Sequence, residues 1–250
     1  FRELLKPTIV DGVPDFSSDA MAAQYAELQY LKKRLRAIDT SVWSRADCVD
    51  YHVVRAEING VDFDHRVLKP WARDPGFYNL TDGIYPRLLV HHSRSLSNWG
   101  LIEPALPLDK EGVKDFRTRL QCVPKLFLDA KKNLVEAAGE LATIAIRVKE
   151  KDIELLERFR QGFAEHHPDL IPDVDKALFA TKDFRDWLIE NQNRMPATAG
   201  IGKENYNWWM KNVHLIPYTW DQFHTMIQAE YDRTISFLKL EENKNRRLPD

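Results

Sequence analysis

Pro124–Phe163 reads PKLFLDAKKNLVEAAGELATIAIRVKEKDIELLERFRQGF, and its apolar residues return every three or four positions. Phe127, Ala130, Leu134, Ala137 or Ala138, Leu141, Ala145 and Val148 fall on one stripe, which Ile153, Leu156, Phe159 and Phe163 continue as a second arm. That period lays one helix face against a core, and the alanines suit close packing between helices. Pro124, with its fixed φ, is expected to open this helix, the longest in the chain. The same spacing recurs on both sides. With only ten glycines in 250 residues and no period-two run of Val, Ile and Thr long enough to predict a strand, the expectation is a mainly α fold, an irregular multi-helix bundle.

Towards the N-terminus, Ser18 can cap a helix striped by Met21, Tyr25, Leu28, Leu31, Leu35 and Ile38. Val49, Val53, Ala56, Gly60, Phe63 and Val67 mark the next, where Gly60 on the stripe predicts close helix approach and Pro70 a stop. Asp74-Pro75 predicts a further helix, reset at Asp82 or Pro86. A loop follows from Asn98 through Pro107, then a helix from Asp109 to near Gln121. Beyond Phe163, His166-His167-Pro168 breaks the chain. Asp173 begins a helix towards Leu188, with an interruption expected at Thr181–Asp183 and an end at Pro196. Gly200-Ile201-Gly202 is a loop, Lys203 to about Val213 an aromatic helix, and Phe223, Ile227, Tyr231, Ile235 and Leu238 stripe the last one. Residues 1–240 are expected to form one helical domain, and Glu241–Asp250 a polar tail or linker.

Composition narrows the function classes. A net charge of −2 disfavours nucleic-acid binding driven by bulk charge; Lys32–Arg36 would need other basic stretches on the same face. No run reaches the roughly 18 apolar residues of a membrane span, since Leu134–Val148 is broken by Glu136, Glu140 and Arg147, so a soluble chain is expected. Cys48 and Cys122 are too few for a disulfide framework and read as small buried hydrophobes. Phe1 is not an initiator Met, and Phe1–Asp15 lack a signal-peptide pattern. The expectation is a start trimmed upstream, from which no compartment can be read.

Motifs that carry chemistry are scarce. The eight histidines, at 52, 65, 91, 92, 166, 167, 214 and 224, include no pair spaced by four, and no His-Glu dipeptide exists, so the helical two-His zinc motif is absent. His166-His167 reads as a helix end and His91-His92 as a partly exposed helix face. Ser93, Ser95 and Ser97 lack the Gly-x-Ser-x-Gly elbow, and Gly200–Lys203 lacks P-loop spacing. No catalytic residue and no metal ligand is assigned. Ala199–Asn212, AGIGKENYNWWMKN, is nevertheless the most unusual stretch. A Gly-rich loop opening a helix leaves backbone N–H groups free for an anion or carboxylate, and Lys203 adds charge. Tyr206, Trp208 and Trp209 serve equally to grip a substrate or to pack helices. In a structural reading Gly202 is a cap and the aromatics are core; in a functional one Gly202, Lys203, Asn205 and Tyr206 contact substrate. Trp71–Tyr78, WARDPGFY, reads as a structural corner.

CVDYHVVRAEINGVDFDHRVLKPWARDPGFY (Cys48–Tyr78), RLQCVPKLFLDAKKNL (Arg119–Leu134) and AGIGKENYNWWMKNVHLIPYTWDQ (Ala199–Gln222) resemble, in this order, the N-terminal half of the bacterial domain-of-unknown-function 885 proteins. Members of that family are longer, mainly helical and similar to zincin-type metallopeptidases. Their His-Glu-x-x-Pro-Gly-His element, which supplies zinc ligands and a general base, lies in the C-terminal half. The only Pro-Gly here is Pro75-Gly76, followed by Phe77, so no zinc ligand carries over. The resemblance implies the helical N-terminal part of a larger all-α zinc peptidase or hydrolase. This part would wall the substrate cleft, bind no cofactor itself, and be inactive without the C-terminal half of the same protein. Zinc is expected in the full-length relative, and a peptide-like substrate is implied. The alternative from the residues alone is a helical protein-interaction module without catalytic activity.

Overall fold

The helical period around Phe127 builds two helices rather than one. The computed structural model of the chain describes residues 7–80, 101–195 and 198–246, and in it Pro124 opens nothing. It lies inside a helix that runs Lys110–Asn133 (α4), capped by Asp109, whose carboxylate accepts the Gly112 N–H at 2.8 Å. An interior proline costs about 3 kcal/mol in backbone terms. Here Leu120, Val123, Leu126 and Phe127 are all buried on the adjoining turns, and each fully buried side chain of this size returns about 1.5–3 kcal/mol. Tertiary burial outweighs local propensity.

The break comes instead at residues 134–138. The Glu136 and Ala138 N–H groups donate to the carbonyls of Ala72 and Arg73, at 3.0 and 2.9 Å, ending a short helix Pro70–Arg73 (α3). The next helix starts at Gly139 and runs to His166 (α5). A Cβ at Gly139 would lie 2.8 Å from the Gln192 carbonyl, so only glycine fits this approach. After the Pro168–Leu170 turn comes Ile171–Asn191 (α6), starting earlier than Asp173 and passing unbroken through Thr181–Asp183. Thr181 is buried, and its hydroxyl donates to the Ala177 carbonyl, which satisfies it within the helix. The expected stop at Pro196 lies outside the described residues.

The chain divides into two compact units, Phe1–Gly200 and Ile201–Asp250. The first unit is centred on α4, α5 and α6. Phe127 stacks on Phe184 at 4.8 Å, Phe116 meets Phe159 and Phe163 edge-on, and Val123, Leu156, Val174 and Leu188 fill the space between. A hairpin of two two-residue strands, Ile9–Val10 (β1) and Val13–Pro14 (β2), adds the only sheet among the described residues. Its turn uses Gly12 at φ 79°, where a Cβ would come within 2.8 Å of the Cys122 sulfur.

Ser18–Arg36 (α1) and Arg45–Phe63 (α2) form a hairpin with its own small core of Leu28, Ile58 and Val61. The cap of α1 is Ser17, not Ser18. Ala56, Gly60 and Phe63 are buried as predicted, but Val49 and Val53 are exposed, because the stripe meets a core only over the later turns of α2, and Ile38 is exposed beyond the end of α1. A π-turn at Asp64–Leu68 follows, so the helical path reaches Leu68 and Pro70 begins α3. Asp74-Pro75 yields a single 3-10 turn, Pro75–Phe77, and no longer helix among the described residues. Asp82, Pro86, the histidines at 91 and 92 and the serines at 93, 95 and 97 lie outside those residues.

The second unit holds Lys203–Asn212 (α7) and Trp220–Asn245 (α8), the latter opened by a reciprocal capping box between Thr219 and Gln222. Glu241–Asn245, expected as tail, are helical. Cys48 is half-exposed where a buried residue was expected; Cys122 is buried, and both are free thiols. Among the described residues no helix is long and apolar enough to cross a membrane.

Candidate functional site

The loop before α7 is the place singled out by sequence. Gly202 caps α7 with φ 79°, without a side-chain cap, and a Cβ at Gly200 or Gly202 would meet nothing within 4 Å. Backbone at both glycines is therefore open to an approaching group. Lys203 is engaged within its own unit: its Nζ lies 2.7 Å from Asp221 Oδ1 and 3.9 Å from the centroid of the Trp220 ring. Asn205 turns back, its Nδ2 donating to the Ile201 carbonyl at 2.9 Å. Tyr206 is half-buried, 6.2 Å from Trp209, which is buried edge-on to His214 at 4.0 Å. The Trp220 N–H donates to Asn207 Oδ1 at 2.6 Å, tying the start of α8 to α7. Gly202, Lys203, Asn205 and Tyr206 thus share one loop and helix start. All three side chains make contacts within the second unit.

Two centres of buried charge escaped sequence reading. In the first unit Lys149 and Asp152, side chains fully inaccessible, pair at 2.5 Å on α5. The ammonium also donates to the Tyr78 carbonyl at 2.9 Å and sits 5.0 Å from the Phe127 ring centroid. The signal was present: Ala142, Ala145, Lys149, Asp152, Leu156, Phe159 and Phe163 form one stripe, so both charges occupy core positions. The pair anchors the Trp71–Tyr78 corner, which is structural as expected. There the Tyr78 hydroxyl donates to the Trp71 carbonyl at 2.8 Å and Phe77 packs edge-on against Phe16. Burial pushes the Tyr78 phenol well above its ordinary value.

The second centre is Asp62 on α2. Lys32 Nζ and Arg66 Nε both lie 2.8 Å from its carboxylate, and Gln29 Nε2 donates at 3.1 Å. Burial pushes this carboxyl up, but the hydrogen bonds from Lys32, Arg66 and Gln29 outweigh it and hold Asp62 below the usual carboxylate range. Burial, and next the Asp62 charge, raise the neighbouring Tyr25 phenol. Lys32 is therefore spent inside the hairpin and is not part of a basic face.

Among the described residues no group of three His, Cys, Asp or Glu side chains stands close enough to hold a metal ion. His167 Nε2 accepts the Leu108 N–H at 2.7 Å, and His224 stacks on Trp220 at 5.0 Å. An open apolar groove of about 560 Å³ lies between α4 and α6, floored by Pro124 and Phe127 and rimmed by Leu128, Phe179 and the Lys131–Asp183 ion pair.

The comparisons bear on the whole chain. None of the curated proteins compared with it matches. A solved structure, a suspected lipoprotein of unknown function from Shewanella oneidensis, is similar with a TM-score of 0.63 at 16% identity, over 94% of this chain and 43% of that one. The chain thus spans less than half the length of that neighbour, and at this identity the likeness concerns fold. The model of a family described as bacterial protein of unknown function, DUF885, matches residues 7–239, and the chain belongs to that family.

Proposed function

We propose that this chain is the N-terminal helical region of a zinc-dependent peptidase or related hydrolase, walling part of the substrate cleft. In this reading the metal-binding motif lies outside these 250 residues, in the C-terminal half of the same protein. The observation that carries it is one of extent. Family membership covers nearly the whole chain, while the solved neighbour is more than twice as long as its matched part. The start of α7 supports a substrate-facing role, since a Cβ at Gly202 would meet nothing within 4 Å and Tyr206, four residues on, is only half-buried. The chain's own contribution would be to bind and orient a peptide-like substrate.

The test is hydrolysis of a broad peptide panel by the complete gene product, before and after chelation. Hydrolysis that stops on chelation and returns with zinc is expected, and Tyr206→Ala should raise KM several-fold with kcat nearly unchanged. No cleavage of any peptide would refute the reading. The exposed apolar groove beside Phe179 favours a second reading, a helical interaction module without catalytic activity.

A further inference from the structure

Helix α8 spans 26 residues, and not one of them is buried. Trp220, Phe223, Ile227, Tyr231, Ile235 and Leu238 follow one another at intervals of three and four, a single stripe along a helix. Its first turn is engaged by α7, through Lys203 and Asn207. Beyond that turn Ile227 is 55% exposed, Tyr231 60% and Leu238 50%, and Met226, Phe237 and Leu240 beside them are 48%, 62% and 60% exposed. Apolar side chains scattered singly over a surface need no explanation; six exposed ones along one helix, three of them in line at Ile227, Tyr231 and Leu238, do. The helix is held locally, by its capping box and by the pairs Arg233–Glu230, Gln228–Asp232 and Lys244–Glu241.

We infer that this band on α8 is the seam on which the C-terminal half of the same protein docks. The inference rests on the proposed function, and it adds the surface through which the two parts join. Two observations select this occupant. More than half of the solved neighbour has no counterpart in this chain, so polypeptide of the required size exists in a protein of the same fold. The charges beside the band, Glu230, Asp232, Arg233 and Lys239, are two of each sign. A lipid surface selects cations next to the apolar face, whereas mixed charge around an apolar centre is the rim of a protein interface.

The experiment is hydrogen exchange, read by mass spectrometry over residues 226–240, in this chain and in the complete gene product, with light scattering on both. Exchange slower by about tenfold or more in the complete product is expected, together with a monomeric mass. Ile227→Glu combined with Tyr231→Glu should return it to the rate of the shorter chain, while Phe179→Glu on α6 should not. Equal exchange in the two proteins overturns the inference even if the variants fail to fold. So does a gene product that ends at residue 250, or protection that appears only with dimerisation, which would make the occupant a second copy. Hydrolysis is scored on the same samples. A protected α8 without hydrolysis or zinc sinks the hydrolase reading and keeps the seam, whereas hydrolysis with an unprotected α8 sinks the seam alone.

Discussion

Lys149→Met removes a charge from a site with no access to water while keeping most of the side-chain volume. In the wild type the ammonium bonds Asp152 at 2.5 Å and the Tyr78 carbonyl at 2.9 Å, with both charged side chains at 0% exposure. The substitution takes the countercharge from an inaccessible carboxylate, which costs about 3–5 kcal/mol, and within that total the Tyr78 carbonyl loses its donor at about 1–3 kcal/mol. For a unit of this size each kcal/mol lowers the melting temperature by about 2–4 °C, so a fall of about 6–20 °C is expected. The double variant Lys149→Met/Asp152→Leu removes both charges together, and replacing a whole buried pair by apolar groups is often close to neutral. It should therefore be more stable than the single variant by about 2 kcal/mol or more. Urea and thermal unfolding, followed by circular dichroism, measure both. A single variant within about 1 kcal/mol of wild type, or a double variant as unstable as the sum of two singles, would refute the reasoning.

Asp62 gives a pH dependence. Its carboxyl is held below the usual range in the folded protein, so its contribution is complete above the unfolded value, about pH 4, and is lost as pH falls through the folded one. Asp62→Asn should flatten the acid limb of stability against pH, and an unchanged slope would count against the Lys32, Arg66 and Gln29 cradle. Gly12→Ala places a Cβ 2.8 Å from the Cys122 sulfur at φ 79°, and should lose about 1–3 kcal/mol in denaturant titration, with part recovered by adding Cys122→Ala. Gly139→Ala should destabilise by about 1–3 kcal/mol although alanine is the better helix former, because the Gln192 carbonyl stands 2.8 Å from the new Cβ. Lys203→Met breaks an exposed pair, 57% and 69% accessible, and should change stability by less than about 1 kcal/mol. Any larger effect of that variant on KM in the complete product then reports substrate contact.

The helical class was legible because period, scarce glycine and the caps at Asp109 and before Lys203 all agree. Boundaries were legible where the deciding contact is local. They failed where it is distant: Pro124 stays helical because its neighbours are buried by α5 and α6, and the break at residues 134–138 is made by carbonyls of α3, some sixty residues earlier. Val49 and Val53 carry the right period, yet periodicity says which residues share a face and not whether another element covers it. The loop at Gly202 was visible from glycine and aromatic content alone. The fate of Lys203 was not, since Asp221 and Trp220 reach it from the next helix. Asp62 and the Lys149–Asp152 pair look like ordinary surface charges until their places on the stripes are counted.

Metal content of the complete gene product, set beside that of this 250-residue chain, tests the central claim most directly. The account predicts about one zinc per chain in the complete product and none in the shorter one. Zinc held by the 250 residues alone, or a complete product that carries no metal even after zinc is supplied, would contradict it.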